Sequence, residues 1–445
     1  MAAPVSVRTG RWVLTRRLLT GLAVAVLMLC ILEIILRLLS AAIGQDWTVD
    51  PLPSAMPEEV LLRHGDGLRL CPQHYQSRDE EDRIVAFSEK PTRPRVIVIG
   101  ESFVYGIRLS AEETWPARVE ARLGGAVEVL NFGRVGSYAS QLVPVVEASL
   151  TLDPDVIILA IGNNEHTMTT FYSGWAGRYP NVVYALSEAL GGIRIYGLLY
   201  RLIVGAPQVE EMADFAHQDF DDPIDQEIYD IRRRPPNIEA IADRLTGSKV
   251  TAALGRERQL KRRVFRAILR EMVEDIQSHG VQVILATLPL DMTVPPLLSG
   301  MTAGDGDEAF YRTLMRKLLA EDEFKTIQRF ALEELSEEQL RTLAHYQHAK
   351  GMNLLARDRQ DEAMEALRLA AEWDMVPDGT PSLNEIIRET AREHGCPLVD
   401  LARVSERYLQ RPYAFFLDSV HVNAAGADIV ATHIVKVLRS EMDLQ

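Results

Sequence analysis

A doubly wound α/β sheet is the fold this sequence predicts, and three observations carry the prediction. Short runs of Val, Ile and Leu alternate with stretches of helical period. The runs at 96–99 and 156–161 are apolar throughout, as a strand covered on both faces must be. The first three runs end in small or polar residues, in Gly100-Glu101-Ser102, in Asn131 to Ser137 and in Gly162-Asn163-Asn164.

The first strand is predicted over 95–99, and it places Ser102 just past its carboxyl end, the edge where open α/β sheets bind ligands. Alone, a serine there reads equally well as a helix cap. A helix follows near 113–123, then a second strand over 126–132, a helix near 141–150 and a third strand over 155–161. A long, poorly periodic region comes next. It holds Phe171, Tyr172, Trp175, Tyr179, Tyr184, Tyr196 and Tyr200, an aromatic set suited to stacking on sugar rings, to a lid or to a core. The helix over 263–279 leads to a fourth strand over 281–288, and 397–401 supplies a short fifth. An amphipathic helix reaching about Arg439 closes the pattern, with Asn423 as its N-cap.

Residues 302–395 differ, being helical in pattern and strongly charged. Within them 344–377 resembles one tetratricopeptide repeat, with Gly351, Ala363 and Ala370 at small-residue positions, Leu354 and Leu367 at large ones and Pro377 closing the unit. A lone repeat cannot bury its own apolar face, so it must lean on its neighbours. His345 and His348 lie three apart on this helix without a carboxylate or cysteine at metal-ligand spacing, and they read as solvated helix residues; no metal is expected.

The chain has 445 residues and a net charge of −15, and its first 44 residues carry Arg8, Arg11, Arg16, Arg17 and Arg37 against Glu33 alone. The remainder is therefore more acidic than the whole, which disfavours nucleic acid as a partner. Residues 18–43 are apolar enough to cross a bilayer, with Glu33 and Arg37 four apart on one helix side. Arginines flank only the leading side, so 1–17 is expected in the cytoplasm and the chain beyond the anchor outside it. A cleavable signal ending at Ser40-Ala41-Ala42 is the alternative to this uncleaved anchor. Residues 44–94 read as a stalk and lead-in. Of three cysteines, Cys30 lies in the anchor; Cys71 and Cys396 are either a disulfide or two thiols.

Ser102, Gly136, Asn164, Asp418 and His421 together are the inventory for acyl transfer. A serine hydroxyl needs a histidine to take its proton, the histidine needs a carboxylate, and the tetrahedral intermediate needs N–H donors for its oxyanion. Gly100-Glu101-Ser102, Gly136, Gly162-Asn163-Asn164 and Asp418-Ser419-Val420-His421 resemble, in order, the four blocks of the SGNH hydrolases, the GDSL esterase/lipase family. Glu101 stands where that family usually has aspartate, and Glu165 where aspartate is frequent.

The resemblance implies a flavodoxin-like three-layer α/β/α sandwich with a parallel five-stranded sheet in the order 2-1-3-4-5. The hydrolase domain would span 95–301 and 396–445, with 302–395 inserted before the last strand. It implies Ser102 as nucleophile, His421 as general base, Asp418 as orienting acid, and the Ser102, Gly136 and Asn164 N–H groups as oxyanion donors, with no cofactor. Glu165 and His166, beside Asn164, are candidates to touch substrate. The expected activity is that of a serine esterase or O-acyltransferase on acyl esters of an envelope carbohydrate, in a bacterial membrane-anchored subgroup facing the periplasm. The competing reading is a catalytically inactive scaffold or assembly protein working through a protein partner of the helical insert.

Overall fold

The computed structural model describes residues 8–44, 47–49, 60–64, 67–70, 87–165, 180–203, 248–296, 340–341, 344–374 and 379–442. In chain order the elements are α1 (Arg8–Ile43), β1 (Leu61–His64), β2 (Gly67–Leu70), β3 (Arg95–Gly100), α2 (Ser102–Tyr105), α3 (Trp115–Arg122), β4 (Glu128–Gly133), α4 (Ala139–Leu150), β5 (Val156–Ala160), α5 (Pro180–Leu190), α6 (Arg194–Ile203), α7 (Ser248–Ser278), β6 (Gln282–Ala286), α8 (Ala344–Leu355), α9 (Gln360–Trp373), α10 (Pro381–His394), β7 (Leu398–Val399), α11 (Leu401–Ser405) and α12 (Ala424–Glu441). They fall into two compact units, one of Met1–Pro53 with Thr170–Val209, the other of Ser54–Thr169 with Glu210–Gln445.

In the larger unit β3 to β7 form a parallel sheet in the order β4-β3-β5-β6-β7, the 2-1-3-4-5 order expected. Residues alternate between its faces. Val96, Val98, Val156, Ile158, Ile284 and Ala286 pack with Trp115 and Val119 of α3 and with Val430, Ile434 and Leu438 of α12. The intervening Ile97, Ile99, Ile157, Leu159, Val283 and Leu285 are also buried, on the face where α4, α7 and α10 pack. Burial on both sides is why residues 96–99 and 156–160 read as unbroken apolar runs.

Arg95 opens β3 and is fully buried. Its guanidinium donates to Glu128 (2.7 Å), to the Leu152 carbonyl (2.7 Å) and to the Ser88 carbonyl (2.7 Å), and its own N–H goes to Asp155 (2.7 Å). One side chain thus joins the amino-terminal ends of β3 and β4 to the chain leading into β3.

The structure adds detail within two of the expected domain segments. The stalk expected over 44–94 contains an antiparallel pair, β1 with β2, and Leu68 bridges to Phe87, whose ring lies 5.6 Å from that of Phe132 in β4. Gly65-Asp66 between the two strands is a hairpin signal that the surrounding polar, proline-rich composition obscures.

Toward the end of the segment expected as an insert, 302–395, α10 packs in the helical layer of the sheet. Asn384 is its tie: the amide accepts from the Leu288 N–H (2.7 Å) and donates to the Leu288 carbonyl (2.9 Å), pairing with the end of β6 as a neighbouring strand would. Arg388 of the same helix holds Asp400 after β7 at 2.7 and 2.9 Å. Residues 297–339 and Pro377 lie outside the described residues.

Helices α8 and α9 pair as a hairpin. Gly351 admits Leu367, since a Cβ there would lie 2.6 Å from Leu367 Cγ, and Ala363 and Ala370 are buried at the same crossing. The pair leans on the sheet unit: Leu354, Leu355, Met364 and Leu367 cluster with Met292 and Leu409. His345 and His348, read as solvated, are turned inward instead. Burial drives both imidazoles down, His345 to about 3, and His348 Nε2 lies 2.9 Å from the Thr293 carbonyl.

In the smaller unit α1 runs for 36 residues, and Leu19–Ile43 is long and apolar enough to cross a membrane. Arg37 meets Glu33 at 2.9 Å, as their spacing predicts. Tyr184 and Tyr200 are buried within this unit, and Tyr196 bonds Ser187 at 2.8 Å. Phe171, Tyr172, Trp175 and Tyr179 lie outside the described residues.

Candidate active site

Ser102 is set in place by the contacts around the end of β3. A Cβ at Gly100 would lie 2.3 Å from the Ala160 carbonyl and 2.3 Å from Val104 Cγ2, so only glycine lets the strand turn this closely against β5. Glu101 stays extended (φ −100°, ψ −153°) and α2 begins at Ser102. Two donors fix that short helix: Asn131 Nδ2 to the Val104 carbonyl (2.9 Å) and Trp115 Nε1 to the Phe103 carbonyl (3.1 Å).

Asp418 and His421 come from the loop before α12. The loop is closed on itself, with Leu417 N–H donating to the His421 carbonyl (2.8 Å) and Asn423 N–H to that of Phe415 (3.0 Å), over the buried rings of Phe415 and Phe416. Asn423 caps α12 through the Gly426 N–H (2.9 Å), as the sequence predicts. From beyond β6, the Asp291 N–H donates to the Ser419 carbonyl at 2.7 Å.

The three side chains form one relay. His421 Nε2 is 2.8 Å from Ser102 Oγ, and its Nδ1 is 2.7 Å from Asp418 Oδ2. The other Asp418 oxygen accepts from the N–H groups of Val420 (3.0 Å) and His421 (2.8 Å). Burial works to raise the Asp418 carboxyl, but the imidazole and the two N–H donors outweigh it and hold the group well below the usual carboxylate range. An ionised Asp418 assigns the Nδ1 proton, which leaves Nε2 to accept from the serine hydroxyl.

The second and third loops meet beside this relay. Gly136 sits in the turn before α4 at φ +68°, a conformation that a side chain would strain. Asn164 Nδ2 donates to the carbonyl of the adjacent Ser137 (3.0 Å). The third loop is also tied to the nucleophile's neighbour, because the Glu101 carboxylate accepts from the N–H groups of Gly162 (2.7 Å) and Asn163 (2.8 Å). The structure thus brings together Ser102, Asp418 and His421, and joins the loops of Gly136 and Asn164.

Glu165, expected to reach toward substrate, is only 2% exposed and receives the Ala139 N–H (2.7 Å) at the start of α4. Burial raises its carboxyl to about 7, against the Ala139 N–H and the Lys261 charge. His166 lies outside the described residues. Behind the nucleophile the protein therefore keeps two buried carboxylates. Burial, and then the charge of Glu165, push Glu101 well above its ordinary value, although three backbone N–H groups oppose the shift. The sequence offers Glu101 only as a substitute for aspartate; its grip on the third loop needs coordinates to see. Among the described residues no group of three or more His, Cys, Asp or Glu is arranged to hold a metal ion.

No family model and no curated protein matches the chain. Solved structures similar to it include LAE5, an alpha/beta hydrolase from the metagenome of Lake Arreo, Spain, at 14% identity and a TM-score of 0.33, covering 79% of this chain and 96% of that one. A putative lipolytic protein of the G-D-S-L family from Desulfitobacterium hafniense is 13% identical with a TM-score of 0.32, covering 78% of this chain and 100% of its own. A catalytic mutant of an acetylxylan esterase from Geobacillus stearothermophilus is also 13% identical, with a TM-score of 0.32, covering 77% and 93%. Likeness at these scores decides nothing about the chemistry, which rests on the geometry of this chain.

Proposed function

We propose that this protein cleaves or transfers an acyl ester through a covalent Ser102 acyl-enzyme. One observation carries the reading: the Ser102–His421–Asp418 relay, with 2.8 and 2.7 Å links at the carboxyl edge of a parallel sheet. Ser102 Oγ attacks the ester carbonyl carbon while its proton passes to His421 Nε2, and the new tetrahedral centre carries a negative oxygen. The Ser102 and Gly136 N–H groups and the Asn164 amide receive that oxygen. Collapse expels the alkoxide, which takes the proton from the imidazolium; water or a sugar hydroxyl then repeats the sequence on the acyl-enzyme. Asp418 remains ionised throughout. Acetylated carbohydrate of the cell envelope is the substrate class, a reading supported by the resemblance in the four blocks and by the anchor.

Labelling with a fluorophosphonate probe tests the nucleophile directly, and it separates this reading from that of an inactive scaffold. The wild type should label and Ser102→Ala should not. Asn164→Ala leaves the nucleophile in place and removes one oxyanion donor, so turnover of a small acetate ester should fall by roughly 10²–10³ while labelling survives. Equal loss of both in Asn164→Ala would remove the oxyanion assignment.

Arginines on only the leading side of the apolar span support a periplasmic catalytic unit. An export-dependent reporter fused after residue 50 should give signal, and the same reporter after residue 10 should not. The opposite pattern would overturn the orientation.

A further inference from the structure

Glu33 is a carboxylate inside an apolar span, and its neighbours explain how the span tolerates it. Besides Arg37, it accepts from the N–H groups of Arg194 (3.2 Å) and Ile195 (3.1 Å), the first two residues of α6. A helix N-terminus carries partial positive charge, so the carboxylate and α6 stabilise one another. Leu36 and Ser40, on the same side of α1 as Glu33, are only 7% and 6% exposed, whereas Leu38 between them is 67% exposed. One stripe of the anchor is covered and the rest is bare.

Helix geometry sets the level of this contact. Glu33 lies fourteen positions beyond Leu19, about 21 Å along a helix rising 1.5 Å per residue, so in a hydrocarbon core of about 30 Å it sits about 9 Å below the far boundary. At the other limit is Trp47, a residue type enriched at the headgroup level. The chain at Trp47 and Val49 runs against glycines of the α5–α6 pair: a Cβ at Gly197 would meet the Trp47 carbonyl and one at Gly191 the Val49 carbonyl, and Val49 N–H donates to the Gly191 carbonyl at 3.0 Å. The pair is therefore fastened to the anchor between Glu33 and Trp47.

Its outward surface is apolar. Val182, Leu186, Ile193, Leu198, Leu199 and Leu202 are exposed, Leu202 by 75%, while between Pro180 and Ile203 only Glu188, Arg194 and Arg201 are charged. The contacts at Glu33 and at Val49 hold this surface beside the apolar span of α1, and long arginine side chains can extend from there to the headgroups.

We propose that α5 and α6 lie in the leaflet next to Ile43, with their outward leucines among the acyl chains. The protein would then meet the membrane through three packed helical segments. The proposal rests on reading Leu19–Ile43 as membrane-crossing, and its test separates the two.

The full-length protein is placed in phosphatidylcholine nanodiscs, with a dansyl side chain incorporated at the position of Leu27 in the anchor, Leu202 or Leu199 in α6, or Glu147 on the exposed face of α4. Replacing the lipid by one with brominated acyl chains quenches only fluorophores among those chains. Loss of most emission at 27, 202 and 199, with none at 147, is the expected result, and bromine near the headgroup should quench 202 more than bromine near the chain end. Quenching at 27 with 202 and 199 as bright as 147 would overturn the proposal and leave the anchor standing. No quenching at 27 would overturn the anchor and the proposal with it.

Discussion

Ser102→Ala should reduce hydrolysis of a small activated acetate ester to near background, and His421→Ala should do almost the same. Each removes one end of the 2.8 Å contact through which the serine loses its proton. Because base and nucleophile act as a unit, the double variant should be scarcely worse than either alone, a non-additivity characteristic of such pairs. Steady-state kinetics on the three variants, with circular dichroism to confirm folding, is the measurement. A folded Ser102→Ala protein with wild-type turnover would sink the serine assignment.

The second large effect falls on stability. Arg95→Met would strand the Glu128 carboxylate and the carbonyls of Leu152 and Ser88, which the guanidinium now serves. Breaking a buried charged pair by removing one partner costs about 3–5 kcal/mol. Activity per folded molecule should be unchanged, since six residues of strand, roughly 20 Å, separate Arg95 from the edge that carries Ser102. Denaturant melts beside active-site titration would check both halves. A drop in turnover without a drop in midpoint would mean that the network reaches the site.

The sheet was legible because the middles of β3 and β5 are buried on both faces and carry no polar residue to blur them. Ile97 to Ile99 and Val156 to Ala160 could hardly be read otherwise. The relay was legible for a different reason: the chemistry accepts few residue types, and Ser102, Asp418 and His421 stand where strand ends and loops deliver them. The features that stayed hidden depend on partners distant in sequence. Arg95 falls in the strand predicted over 95–99, but nothing in the sequence names Glu128 and Leu152 as the partners that let its charge lie fully buried. The helical period of α10 says that it is a helix, but not that Asn384 will pair with Leu288. His345 and His348 have the spacing of a surface pair, and only the packing of α8 on the Met292 segment turns them inward.

The nucleophile and its base are 319 residues apart in the chain, and they meet across a sheet whose last strand contributes only Leu398–Val399. Closing so large a loop is entropically costly, and the packed helical layers and sheet must offset that cost. The chemistry is therefore a property of the finished tertiary structure. A chain holding only its first three strands would present a serine at a strand end with nothing to accept its proton, because His421 follows the last strand.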